Sequence, residues 1–144
     1  AAYIKSSIKL DKLFSIEPER LITDRPLQGQ SPYLINSSLA FNDERSGFSA
    51  TLSVNRVGDR IYIAGIKNES ADIYEKARTV VDFQVAKFLL RKKLELKLTA
   101  RDLLAQDINF YSDFDLSKNY TKSDKFFSSF KAPVTISFSA TYKF

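Results

Sequence analysis

The sequence predicts an all-β chain: antiparallel strands forming part of a transmembrane β-barrel, about six of them, incomplete on their own. Two observations carry this expectation. Apolar and polar residues alternate over several segments, and successive strand side chains point to opposite faces. Short and long links also take turns along the chain, as in a barrel with tight turns on one side of a membrane and loops on the other.

The segment 3–15 alternates Ile4, Ile8 and Leu10 with Lys5, Lys9 and Asp11, less cleanly than the rest. A long link, 16–30, follows. The second strand, 31–42, sets Tyr33, Ile35, Leu39 and Phe41 against Leu34, Asn36, Ser38 and Ala40. Asn42 to Gly47 is a short hairpin turn, and Gly47 is free to take a positive φ. The third strand, 47–64, alternates Phe48, Ala50, Leu52 and Val54 with Ser49, Thr51, Ser53 and Asn55. After the long link 65–77, the fourth strand, 78–90, pairs Val81, Phe83 and Val85 with Asp82, Gln84 and Ala86. A second short turn, Leu90 to Lys93, leads into the fifth strand, 93–106, where Leu94, Leu96, Leu98 and Ala100 oppose Glu95, Lys97, Thr99 and Arg101.

The last long link, 107–132, carries Phe110, Tyr111, Phe114, Tyr120, Phe126, Phe127 and Phe130. It reads either as a folded extracellular loop or as an aromatic girdle at its ends. The sixth strand, 133–144, is the clearest. Val134, Ile136, Phe138, Ala140, Tyr142 and Phe144 share one face, and Thr135, Ser137, Ser139, Thr141 and Lys143 share the other. Its aromatics Phe138, Tyr142 and Phe144 are the candidate barrel-assembly residues. This order puts every short turn on one side and every long loop on the other, so the last strand runs inward to the periplasmic rim.

Composition narrows the chemistry. The chain has no His and no Cys, which excludes disulfides, thiolate chemistry, imidazole bases and the commonest zinc sites. No cofactor, metal or catalytic residue is expected. Asp113 with Asp115, and Asp43 with Glu44, read as solvated loop charge with no second catalytic group beside them. The 22 Lys+Arg against 17 Asp+Glu are scattered, and Arg91-Lys92-Lys93 reads as a solvated turn, so no nucleic-acid partner is expected. No stretch approaches the ~18 apolar residues of a membrane helix, but that test is blind to strands that are apolar at every second position. The first residues lack the order of a signal peptide.

Alternation also fits a soluble antiparallel sheet that buries its apolar face. Three features favour the membrane version: strands close to the ~9–11 residues of a tilted crossing, polar faces rich in Ser, Thr, Asn, Lys and Glu, and aromatics near strand ends. Six strands remain too few. A bacterial single-chain barrel has at least about eight, and each unpaired backbone group in lipid costs several kcal/mol. Either copies of the chain assemble into a pore, or the chain is part of a larger barrel.

Residues 25–36, Arg-Pro-Leu-Gln-Gly-Gln-Ser-Pro-Tyr-Leu-Ile-Asn, resemble a segment near the end of TonB-dependent outer-membrane receptors of the Bacteroidetes type. The residues that carry it are Arg25, Leu27, Gln28, Gly29, Gln30, Ser31, Pro32 and Tyr33. Val54 to Ile61, with Asn55, Gly58 and Arg60, is similar to the family's Asn-x-x-Gly-x-Arg-Ile stretch. Glu75, Arg78 and Asp82 continue the likeness, and Leu98 to Leu104 resembles a strand ending in Asn-Leu-Leu, with Asp102 in place of the Asn. The resemblance covers about 25–144 and implies a bacterial outer-membrane location. It implies a barrel of twenty-two strands around an N-terminal plug, gated by TonB through a segment near the N-terminus. Neither plug nor TonB-contacting segment is recognisable in 1–144, which would hold the carboxy-terminal strands alone. The expected partners are the remaining strands and plug, TonB through the absent part, and outer-membrane lipid. Locally, Gly29 and Pro32 are expected to shape a loop-to-strand entry, and Gly58 a bulge or close packing. Asn55, Arg56, Asp59, Arg60, Glu75, Arg78 and Asp82 are expected to make wall-lining ion pairs.

Overall fold

The computed structural model describes residues 2–3, 26–65, 70–115, 117 and 120–144. These residues form strands and no helix: β1 (Ala2–Tyr3), β2 (Tyr33–Asp43), β3 (Phe48–Val57), β4 (Arg60–Ile63), β5 (Ile73–Glu75), β6 (Arg78–Leu89), β7 (Leu94–Arg101), β8 (Ile108–Ser112), β9 (Lys125–Phe130) and β10 (Thr135–Tyr142). They make two antiparallel sheets, one ordered β1-β2-β3-β6-β7-β10 and one ordered β4-β5-β8-β9. The fold is all-β, as the alternation predicts. Both sheets are open among the described residues, so no closed barrel is present there.

Two compact units divide the chain: Ala1–Leu34 with Val57–Arg78 and Asp107–Phe130, and Ile35–Arg56 with Thr79–Gln106 and Lys131–Phe144. In the first unit, the four-stranded sheet carries a small core of Ile61, Tyr74 and Tyr111, with Ala64 packed against it. The Tyr74 and Tyr111 rings stack at 5.8 Å. One edge of this sheet is covered: Gly29 donates its N–H to the Ile61 carbonyl at 2.8 Å, and Gln28 Nε2 donates to the Tyr62 carbonyl at 2.8 Å. At the other edge, β9 exposes Phe126, Phe127 and Phe130.

In the second unit, register fixes the faces. β10 pairs with β7 and β7 with β6, aligning Phe83–Ala100–Ile136, Val85–Leu98–Phe138, Lys87–Leu96–Ala140 and Leu89–Leu94–Tyr142. Gln84–Thr99–Ser137, Ala86–Lys97–Ser139 and Phe88–Glu95–Thr141 form the alternate rows. The faces predicted for these three strands are therefore brought together row by row.

Several boundaries differ from expectation. The single strand 47–64 is broken into β3 and β4 at Gly58-Asp59. Tyr33 packs closely on the break, as expected of Gly58: a Cβ there would lie 2.6 Å from the Tyr33 ring, and the Gly58 N–H donates to the Tyr33 carbonyl at 3.2 Å. Asp59 then turns its carboxylate to the Ala77 N–H at 2.8 Å, drawing the chain out of line. The strand expected over 93–106 stops at Arg101, because Asp102 takes φ 54, a left-handed conformation that ends a ladder. The links 65–77 and 107–132 are not plain loops, since they hold β5, β8 and β9. Of the strand expected over 3–15, only Tyr3 is described, paired with Tyr33; 4–15 and the link residues 16–25 lie outside the described residues.

Candidate functional site

Three places concentrate chemistry: the two faces of the second unit's sheet, the motif residues near β4, and an acidic loop beside β8. The rows on β6, β7 and β10 expose Phe83, Leu89, Leu98, Ile136, Phe138 and Tyr142 together. Ile136 and Phe138 are 69% and 67% exposed. Burying one such side chain is worth about 1.5–3 kcal/mol, and a contiguous apolar patch of this kind marks an interface with protein or membrane. Phe138 and Leu98 border a shallow depression of about 160 Å³ with Val85 and Leu96. A polar depression of about 230 Å³ in the same unit is lined by Asn36, Ser38, Ser53, Asn55 and Asp82. There Asn55 Nδ2 donates to Asn36 Oδ1, and Asp82 accepts the Asp102 N–H at 2.9 Å. The sheet thus offers hydrocarbon on one side and hydroxyl, amide and charge on the other.

The motif residues converge in the first unit. Leu27 accepts from Gln30 N–H across a turn at 3.1 Å, with Gly29 at φ 78 inside it. Ser31 Oγ donates to the Tyr33 carbonyl at 2.8 Å, and exposed Pro32 precedes β2. Gln28 and Gly29 lie along β4, while Tyr33 and Ser31 pack on Gly58. Arg60 sends Nε and Nη2 to Glu75 Oε2 at 2.9 and 2.7 Å, an ion pair between β4 and its neighbour β5. The role of 27–33 is therefore to clamp β4. Arg25 lies outside the described residues. Asn55 and Asp82 sit in the other unit, and Arg78 opens β6 with a half-buried side chain. Of the expected wall-lining ion pairs, the described residues show Arg60–Glu75. Asn55, Arg56, Asp59 and Asp82 instead hold neutral partners, with Arg56 Nη1 on Thr79 Oγ1 at 2.8 Å.

Sequence reasoning missed the third place. Asp113, Asp115 and Asp124 each bring one carboxylate oxygen within 4.8 Å of the others. Loop donors occupy them: Ser117 N–H reaches Asp113 and Asp115 at 3.0 Å, and Ser123 and Thr121 hydroxyls reach Asp115 at 2.6 and 2.7 Å. Asp124 takes Thr121 N–H at 2.7 Å. These hydroxyls hold the Asp115 carboxyl well below its ordinary range, Ser123 first, then Thr121 and Ser117. As arranged, the cluster is a clasp that ties the β8–β9 loop. The Asp113/Asp115 spacing hinted at it, but Asp124 joins only through the hairpin.

No protein-family model, curated protein or solved structure matches the chain.

Proposed function

We propose that this chain forms the carboxy-terminal barrel wall of a TonB-dependent outer-membrane receptor that imports a nutrient, and that it carries no enzymatic activity. One observation supports this most. The sheet of the second unit presents three registered strands whose rows on one face are open and apolar but for Lys87, and whose alternate rows are Gln, Thr, Ser, Lys and Glu with Ala86 and Phe88 among them. That is the requirement for a wall with lipid on one side and a wet lumen on the other. The place of both short turns supports it too. Phe88 N–H meets the Gly47 carbonyl, and Lys143 N–H meets the Lys93 carbonyl, each at 2.8 Å, so both turns share one end of the sheet with the end of β10. The receptor assignment itself rests on the resemblance of 25–36 and of the Gly58-Asp59-Arg60-Ile61 stretch.

Expressed with its upstream partner segments, the chain should float with outer membranes and migrate heat-modifiably on gels. A chain that stays monomeric and soluble without detergent or chaperone overturns the reading. A discrete homo-oligomer in detergent, with no other chain required, would instead support a self-assembled pore. A soluble β-sheet binding module is the remaining reading. It is favoured by the separate Ile61–Tyr74–Tyr111 core and the exposed aromatics of β9.

A further inference from the structure

The end of the second unit that holds the two short turns is strongly amphipathic. Arg45, Arg91, Lys92, Lys93 and Lys143 are all exposed there. Lys87 also reaches it, with Nζ on the Ser46 carbonyl at 2.6 Å. The acidic groups nearby are fewer: Glu44 is exposed, Asp43 accepts the Arg45 N–H at 3.1 Å, and Glu95 is half-buried on β7. Among these cations lie exposed Leu89, Leu90, Tyr142 and Phe144, with the last two rings edge-on at 5.3 Å.

The turn that carries most of the charge breaks a local rule. Lys93 N–H closes on the Leu90 carbonyl at 3.1 Å, and Arg91 and Lys92 between them take φ 54 and φ 69. With Leu90 itself at φ 50, three consecutive residues are left-handed, a conformation that a Cβ disfavours at each and that Gly or Asn tolerates better. A sequence chosen for the turn alone would not put Arg-Lys there. Where a local rule is broken without a packing gain, function is the first place to look.

We propose that this end docks on the phosphate headgroups of an anionic bilayer leaflet. Arg91, Lys92, Lys93, Lys143 and Arg45 meet the phosphates, and Leu90, Tyr142 and Phe144 enter the headgroup–acyl boundary. Contiguous cations and hydrocarbon select a membrane surface over free phosphate or nucleic acid, which would leave the apolar residues in water. The inference rests on the wall reading and adds the lipid chemistry that one rim of that wall recognises.

The test is co-flotation of the refolded 144-residue chain with phosphatidylcholine vesicles, made with or without phosphatidylglycerol. Phosphatidylglycerol should raise association, and added salt should reverse the gain. Arg91→Asn with Lys92→Gly should lower association with the anionic vesicles by about twenty-fivefold, about fivefold per cation, while raising resistance to urea. Lys93→Gln with Lys143→Gln, which leaves the strained turn untouched, should give a similar loss. If both double variants bind like the parent, or phosphatidylglycerol has no effect on a chain that floats with both vesicles, the headgroup assignment is wrong and the wall reading stands. A chain that floats with neither vesicle also overturns the headgroup assignment, while the wall reading is decided by flotation together with the upstream segments.

Discussion

Tyr111 shows how a single residue reports on its unit. It is 2% exposed, and its hydroxyl has no hydrogen-bond partner among the described residues. Burial pushes its pKa far above the ordinary tyrosine range, and the charges of Asp59, Asp113 and Asp124 add to the shift. The unfolded chain therefore loses this proton first, from about pH 10. The stabilisation is complete below that pH and is lost as pH rises toward the folded value. In an alkaline titration, tyrosinate absorbance from Tyr111 should appear only as the four-stranded sheet unfolds, and Tyr111→Phe should move that transition to higher pH. An unmoved transition would contradict this account. Two glycines give a second check. Gly58→Ala must displace the Tyr33 ring, at about 1–3 kcal/mol for an overpacked site. Gly65→Ala should cost more, since its Cβ would overlap the Ser70 carbonyl oxygen, and backbone yields less readily than a ring. Urea midpoints of the two variants would show the order. Asp102 was partly legible in the sequence. Its place in an Asn-Leu-Leu-like motif is a left-handed position, which Asn and Asp tolerate better than other side chains.

At the scale of elements, alternation found what lies in the larger sheet. β7 and β10 put apolar residues on one face and polar ones on the other, and β6 does so over Val81 to Gln84 before Lys87 and Phe88 break the pattern, so a period of two is visible in the sequence. β8 and β9 were invisible for a physical reason. Ile-Asn-Phe-Tyr-Ser places aromatics on both faces, Lys-Phe-Phe-Ser-Ser-Phe does so too, and the pair slips register between Phe110 and Tyr111. The motif clamp on β4 was legible as residues but not as contacts, because Gln28 and Tyr62 are brought together only by the fold. The alternation also yields a face-specific prediction. Phe138→Arg puts a cation in the open apolar row and should cost about 2–4 kcal/mol of folding into bilayers if that row faces mid-membrane. Ser137→Arg, one position away in the Gln84–Thr99–Ser137 row, should be nearly neutral. Urea titration of both variants in vesicles checks the difference, and equal costs would mean that the two faces are not lipid and lumen.

Across the whole molecule, no linker in the sequence marks two units, because each is assembled from three separated stretches of chain. What sequence did reveal was the set of antiparallel strands, whose described residues form the six-stranded sheet β1-β2-β3-β6-β7-β10. Among the described residues the buried apolar side chains are Ile61, Tyr74, Ala86, Phe110 and Tyr111. The outer edge of β9, which no strand among the described residues covers, has a consequence in solution. Lys125 to Phe130 is a six-residue run of three Phe and two Ser, with one terminal charge, no Pro and no Gly. Such a segment can stack on copies of itself, with interlocked Phe side chains and a repeat of about 4.7 Å. Concentrated without detergent, the chain should form fibrils that bind amyloid dyes, and Phe127→Lys should delay their appearance by adding a gatekeeper charge to that one short edge.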